Sequence, residues 1–275
     1  MEIKYIVEQD KISLRDFLIQ KNFSRTFRKK VRLKDIVFIN GVVARNHHLL
    51  NRGDQVTIII NETLNAAFII NENELDILYE DDYFLIINKQ ANLASHPSRK
   101  HQVDNIISMI ASYYQKNNIK ANVHIATRLD YLTTGIMIVA KSGLIHQMME
   151  KTKTTKIYTC KIKGQLNPSS GLIDLPIKRL NPYDIRRWVD KDGLRALTKY
   201  HTIASDEAFS IVEAELLTGR THQIRIHMAY LGHPIVGENL YDFQTGQLHL
   251  HCSKVSFIHP INNSLIEIKS KPNWQ

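Results

Sequence analysis

The spacing of apolar and polar positions changes period several times along the chain, and each change predicts a different element. Two β-branched runs, VFI and VVA, flank Asn40-Gly41; both turn residues tolerate a positive φ, so a tight hairpin is predicted there. Gly53-Asp54 then turns the chain into a further strand, QVTIII. Upstream of the hairpin, Ser24 is placed to cap a helix in which Arg25, Arg28, Lys29 and Arg32 recur at i, i+3, i+4 and i+7. These four cations share one stripe, with Phe27 and Val31 on the opposite side. Farther along, FLIIN (84–88), IMIVA (136–140) and IVEAELL (211–217) read as sheet strands. The run IYTCKIK (157–163) alternates, which turns Tyr158, Cys160 and Ile162 inward and Lys161 and Lys163 outward. Residues 221–231, THQIRIHMAYL, take helical spacing, with Ile224, Met228 and Leu231 on the apolar face and His222 and Arg225 on a different side.

At 275 residues and 43% hydrophobic, the chain can bury a full core and a smaller second unit. No window repeats at a solenoid or propeller period, which excludes repeat architectures. Charge divides the chain further. Residues 1–60 carry 12 basic and 6 acidic side chains, 61–100 carry 3 and 7, and 101–275 carry 21 and 14. The acidic, Asn-rich stretch NETLNAAFIINENELDILYEDD thus separates two basic blocks and is the candidate linker. The net charge of +9 favours polyanionic partners without identifying one. Cys160 and Cys252 are the only cysteines and show no metal-finger spacing, so neither a disulfide framework nor a structural zinc site is expected. No leader pattern and no membrane-length apolar run is present; a cytoplasmic protein is expected, with no membrane partner.

The chemistry concentrates in a few places. In TRLDYLTTGIMIVAKS, Arg128 and Asp130 flank the start of an apolar strand, where charge is costly to hold. An Asp there stays ionised if an Arg pairs with it; a purely structural Arg–Asp turn is the competing reading. Gly219-Arg220-Thr221, followed by His222 and Arg225, is either an anion-binding helix start or simply a basic helix. The cationic stripe is either an RNA-binding surface or a solvated helix face. His222, His227, His249 and His251 lack the spacing and acidic neighbours of a metal site, so no metal is expected. No phosphate-cradling glycine motif follows a strand, so no nucleotide cofactor is indicated.

Several ordered motifs resemble those of the RluA family of pseudouridine synthases: TRLDYLTTGIMIVAKS (127–142), KIYTCKIKG (156–164), LLTGRTHQIRIHMAYLGHPIVGENLYD (216–242) and LHCSKVSFIHP (250–260). ELDILYEDDYFLIINKQ (74–90) is similar to the opening of that family's catalytic domain, and GLIDLPIKR and GLRALTKY fall in family order. Residues 11–60 resemble an S4 RNA-binding domain, with SRTFRKKV as its basic helix.

The resemblance implies an α+β fold, in which a mixed, mainly antiparallel catalytic sheet is preceded by a small S4-like α/β RNA-binding domain. The boundaries it implies are 11–60 for that domain, 61–73 for a linker and 74–275 for the catalytic domain. It implies isomerisation of uridine to pseudouridine in structured RNA, with ribosomal RNA the first expectation and transfer RNA the second, by a monomer without a cofactor. Asp130 matches the family's catalytic aspartate, Tyr158 the tyrosine that lies against the target base, and Arg225 the arginine that pairs with the aspartate. Arg128 matches the arginine that fills the space the flipped base leaves, and Arg220, His222, Arg25, Arg28, Lys29 and Arg32 are expected to bind RNA. Thr127, Thr134, Gln90, Asn92, Leu194 and Glu238 depart from the usual family residues, His, Ser, Pro, Gly, Lys and Asp respectively. The alternative outside this class is a non-catalytic RNA-binding or ribosome-assembly factor, and a nuclease using the His residues is a third reading.

Overall fold

Strand-forming alternation begins at the second residue of the chain, where EIKYI buries Ile3 and Tyr5 and exposes its charged positions. A computed structural model describes residues 1–274, so Gln275, the expected end of the second domain, lies outside the described residues. The first unit runs β1 (Glu2–Ile6), β2 (Ile12–Ser13), α1 (Leu14–Gln20), α2 (Arg25–Leu33), β3 (Val37–Ile39), β4 (Val42–Val43), β5 (Leu49–Leu50) and β6 (Gln55–Ile59). Its four-stranded sheet has the order β1-β6-β3-β4. The sequence reading starts this unit at residue 11; β1 extends it to Glu2, because Ile3 and Tyr5 need β6 and the helices to cover them. Asn40 and Gly41 take φ of 47° and 83° between β3 and β4, the geometry the hairpin demands. Ser24 caps α2 by accepting from the Phe27 amide, and Phe27 and Val31 are buried beneath it.

The second unit contains β7 (Ile77–Glu80), β8 (Phe84–Lys89), α3 (Ile106–Lys116), β9 (His124–Ile125), β10 (Thr134–Ala140), α4 (Gly143–Lys151), β11 (Thr154–Lys163), β12 (Ser170–Asp174), β13 (Ile177–Lys178), β14 (Trp188–Val189), β15 (Leu197–Ser205), β16 (Phe209–Leu216), α5 (Gln223–Tyr230), β17 (Leu250–Ile258) and β18 (Leu265–Lys269). Its main sheet has the order β12-β15-β16-β11-β17-β10-β8-β7, with β9 beside β10 and β18 beside β17. Every pairing is antiparallel except β10 with β17, so the fold is α+β with a mixed, mainly antiparallel sheet. Strand β10 is buried along its whole length, which explains its uninterrupted apolar run. Among the described residues no helix is long and apolar enough to cross a membrane.

Residues 61–73 form neither helix nor strand, but they are bonded to the second unit. Glu62 accepts from the Gly143 amide at the start of α4 (2.9 Å), and Asn71 donates from its amide side chain to the Val103 carbonyl (3.2 Å). Between the units, Ser24 donates to Gln147 (2.8 Å) and Lys151 donates to the Asn22 carbonyl (3.1 Å).

Candidate active site

The parallel contact of β10 with β17 builds the site. It places Gly135 opposite Cys252, while Cys252 also pairs with Tyr158 of β11 across a bulge. Gly135 has φ of 108°, and a Cβ there would meet the Cys252 backbone oxygen at 2.4 Å, so only glycine permits this approach. The loop ahead of β10, carrying Arg128 and Asp130, thereby faces Tyr158.

That loop is clamped on both flanks of Asp130. Ser95 donates to the Leu129 carbonyl (2.8 Å), and the Lys89 ammonium donates to the Tyr131 carbonyl (3.2 Å) and to its neighbour Gln90 (2.9 Å). Thr127, where the family usually has His, accepts from the Ile138 amide (2.8 Å) and so fastens the loop to β10. Asp130 itself is half-buried, Arg128 is exposed, and neither makes an ion pair among the described residues.

Asp130, Arg128, Tyr158, Arg220, His222 and Arg225 line one cleft of about 550 Å³, so six residues chosen from separate stretches of the sequence converge. Tyr158 is buried as its alternation predicts; burial, then the neighbouring Cys252 and the Asp130 charge, keep its hydroxyl protonated well above the usual range. Arg220 is exposed and steadied by a bond to the Arg195 carbonyl (3.0 Å). The other four predicted cations, Arg25, Arg28, Lys29 and Arg32, line a separate recess of the first unit with Arg15, Asn46 and His47.

Arg225 departs from expectation. Its guanidinium does not pair with Asp130 but forms a fork with Glu238, Nε to Oε2 at 2.7 Å and Nη2 to Oε1 at 2.6 Å, and reaches Asn239 at 3.1 Å. Both partners are almost wholly buried. The physical reason is satisfaction: Glu238 sits at 0% exposure and also accepts the Leu240 and Tyr241 amides, so Arg225 completes a four-donor shell around it. Burial alone would weaken the Arg225 charge, but the Glu238 bonds and charge, with Asp130 adding a smaller contribution, hold it above its ordinary value.

Helix α5 is also less one-sided than its periodicity predicts. Leu231 is 39% exposed, while Gln223, Arg225 and His227 are buried with partners: Gln223 donates to the Leu197 carbonyl and Thr198, and His227 bonds Thr198 and the Leu175 carbonyl. The four His residues considered for a metal are dispersed, His249 stacking on Trp274 and His251 bonding Thr134 and Ser270. Among the described residues no three His, Cys, Asp or Glu side chains converge as a metal would require.

Two contributors escape the sequence reading. Lys89 is 1% exposed, and burial pushes its ammonium down to about 7, with the Asp130 charge acting the other way. Its signal was present: a charge ending an apolar strand, the same anomaly that singles out Asp130. Tyr241 hydrogen-bonds the cleft-lining His222 at 2.8 Å; it falls within the family-like stretch 216–242, but neither its residue type nor its spacing assigns it a role.

Comparison with known proteins agrees with this architecture. The family model for RNA pseudouridylate synthase matches residues 83–230. A Bacillus subtilis protein named as the uncharacterized RNA pseudouridine synthase YhcT is 39% identical over 237 residues, covering 83% of this chain and 78% of the relative. The Pseudomonas aeruginosa ribosomal large subunit pseudouridine synthase D is 30% identical over 207 residues, covering 74% of this chain and 64% of that one. Among solved structures, human RNA pseudouridylate synthase domain containing 4 shares the fold, with a TM-score of 0.60 at 21% identity over 72% of this chain and 89% of that one. With its motifs, its sheet and its relatives in agreement, the chain belongs to the RNA pseudouridylate synthase family, as a synthase of the RluA type.

Proposed function

We propose that this enzyme isomerises specific uridines of ribosomal RNA, with transfer RNA as the second candidate, using Asp130 as the catalytic carboxylate and no cofactor. The reaction breaks the N1–C1′ bond, turns the detached uracil and joins C5 to C1′, while a proton leaves C5 and one is gained at N1. Atoms and electrons balance within the nucleotide, so no redox partner is needed. An ionised carboxylate serves either as nucleophile at C1′ or as a base on the sugar, and one correctly held carboxylate suffices for both routes.

The observation that carries this reading is the clamped loop: Asp130 is fixed through its two neighbours, by Ser95 and by Lys89, in a cleft that also holds Tyr158. Such preorganisation has no use in a pure binder, which disfavours an assembly factor. Tyr158, protonated at neutral pH and next to the charge of Asp130, serves as a platform for the uracil and a carrier for its proton. Arg128, exposed at the mouth, fills the gap that the flipped base leaves. Arg225 acts on Asp130 through the field of a cleft wall rather than by contact. Arg220 and His222 contact the RNA backbone, and the recess of Arg25, Arg28, Lys29 and Arg32 makes the first unit an S4-like RNA-binding domain. The proposed ribosomal target follows the name of the Pseudomonas relative, a ribosomal large subunit pseudouridine synthase; a cytoplasmic monomer is part of the same proposal.

The test is to incubate the purified protein with ribosomal and transfer RNA from a strain lacking it and to map pseudouridine chemically. New pseudouridines at discrete ribosomal positions are expected. No pseudouridine in either RNA contradicts the reading, and chain cleavage on a denaturing gel would favour a nuclease.

A further inference from the structure

His222 occupies an uncommon backbone position. It is the N-cap of α5 with φ of 57° and ψ of 21°, left-handed for a residue with a side chain, and its ring makes no capping bond. The ring is directed instead to Tyr241, whose hydroxyl oxygen lies 2.8 Å from Nδ1, with the two rings edge to face at 5.9 Å. The same oxygen accepts the Arg187 backbone amide at 3.0 Å, from the segment joining β13 to β14. The Tyr241 ring also lies 5.6 Å from the Arg225 guanidinium. Tyr241 therefore ties the β13–β14 connection, more than fifty residues upstream, to the start of α5, where His222 and Arg225 lie three residues apart.

The donor pattern favours one tautomer. With the Arg187 amide already donating to the Tyr241 oxygen, the acceptor within reach of the hydroxyl proton among the described residues is His222 Nδ1. Were Nδ1 protonated, it would donate to Tyr241 as well and leave the hydroxyl proton without a partner. The satisfied arrangement has a bare Nδ1, and so a proton on Nε2. That nitrogen takes no bond among the described residues and is not buried, in a side chain that lines the Asp130 cleft.

Resting on the reading that this cleft receives RNA, we propose that Tyr241 is a positioning residue: it holds His222 in the neutral Nε2–H tautomer, which presents an uncharged donor to an acceptor oxygen of the bound RNA. A neutral donor orients an oxygen next to Asp130 without adding a cation that would hold the carboxylate in place as an ion pair. The surroundings agree in sign: burial disfavours the imidazolium first, Arg225 and Arg187 disfavour it further, and Asp130 and Glu238 act in the opposite direction. The Arg187 bond also ties this tautomer to the β13–β14 connection, whose Tyr183 is 95% exposed.

The experiment is long-range 1H–15N correlation on the 15N-labelled protein without RNA, with the His222 ring assigned by its loss in His222→Gln. Wild type is expected to show a bare Nδ1 and a protonated Nε2 across pH 6–8. Tyr241→Phe should give mixed tautomers and a raised imidazole pKa. It should also raise KM for RNA by about 2- to 10-fold, the fold-change of one neutral hydrogen bond, with a smaller change in kcat. Tyr241→Phe should add nothing in a His222→Gln background. A protonated Nδ1 in wild type, or an unchanged tautomer in Tyr241→Phe, overturns the proposal, and the wild-type spectrum decides even if the Phe variant folds poorly. The spectra need neither RNA nor turnover, so failure here is separable from failure of the proposed reaction.

Discussion

Replacing Glu238 by Gln tests whether the buried Arg225–Glu238 fork supports the cleft wall. The change is nearly isosteric, but it removes the charge opposite a guanidinium that is 2% exposed. Both carboxylate oxygens are engaged, Oε2 by Arg225 Nε at 2.7 Å and Oε1 by Nη2 at 2.6 Å and the Leu240 amide at 2.9 Å. Whichever way the Gln amide is turned, its NH₂ group faces at least one N–H donor. Breaking a buried pair by removing one partner costs about 3–5 kcal/mol, because the remaining charge is left without compensation. At roughly 2–4 °C per kcal/mol for a domain of this size, the melting temperature should fall by roughly 6–20 °C. The double variant Arg225→Met, Glu238→Leu should recover part of the lost stability, since an apolar pair leaves no orphan charge, although the Leu240 and Tyr241 amides then lack their acceptor. Thermal unfolding of wild type, the single variant and the double variant supplies the comparison. A Glu238→Gln protein within about 1 kcal/mol of wild type, or a double variant no better than the single, would refute the reasoning.

Gly135→Ala should destabilise by about 2–6 kcal/mol, combining left-handed strain with a clash against the Cys252 backbone, and circular-dichroism melts that differ by under about 1 kcal/mol would count against the close β10–β17 approach. The Lys89 proton is retained to 10.5 in the unfolded chain and released near 7 in the fold, so the unfolded state binds more protons in that window and stability rises with pH there. Lys89→Met should flatten the pH dependence of the urea midpoint between pH 7 and 10, and an unchanged slope would refute the assignment. Replacing Arg25, Arg28, Lys29 and Arg32 together by Gln should reduce the log–log salt slope of RNA binding by roughly 3, at about 0.7 per phosphate contact, and an unaltered slope returns the stripe to a solvated helix face.

What the sequence discloses here is local. Ser24 as a cap, Asn40-Gly41 as a hairpin and the inward alternation of Tyr158 with Cys160 each follow from a period or a turn requirement within a few residues. Asp130 is conspicuous for the same reason, a charge at the mouth of an apolar strand. The partner of Arg225 could not be found that way, because Glu238 lies 13 residues on and its pull comes from a shell of donors assembled by the fold. Helix α5 misleads for a related reason: Gln223 and His227 look solvent-facing by polarity, yet Leu197, Thr198 and Leu175 satisfy them inside. Convergence of the cleft depends on β17 lying between β11 and β10, a parallel contact joining segments more than a hundred residues apart. The family motifs supplied the list of residues to bring together, while the parts that Tyr241 and Lys89 play emerge from their contacts, although Lys89 ends an apolar strand as Asp130 precedes one.

The central claim is that the Asp130 carboxylate carries the chemistry while cationic side chains carry the affinity. The most direct measurement is single-turnover pseudouridine formation by Asp130→Asn on the mapped ribosomal substrate, alongside the equilibrium binding of the same RNA. Product at background with an affinity close to wild type is the expected result, since the amide keeps the side chain's size but offers neither a nucleophile nor a base. Pseudouridine formed by the Asn variant at a rate near wild type would contradict it.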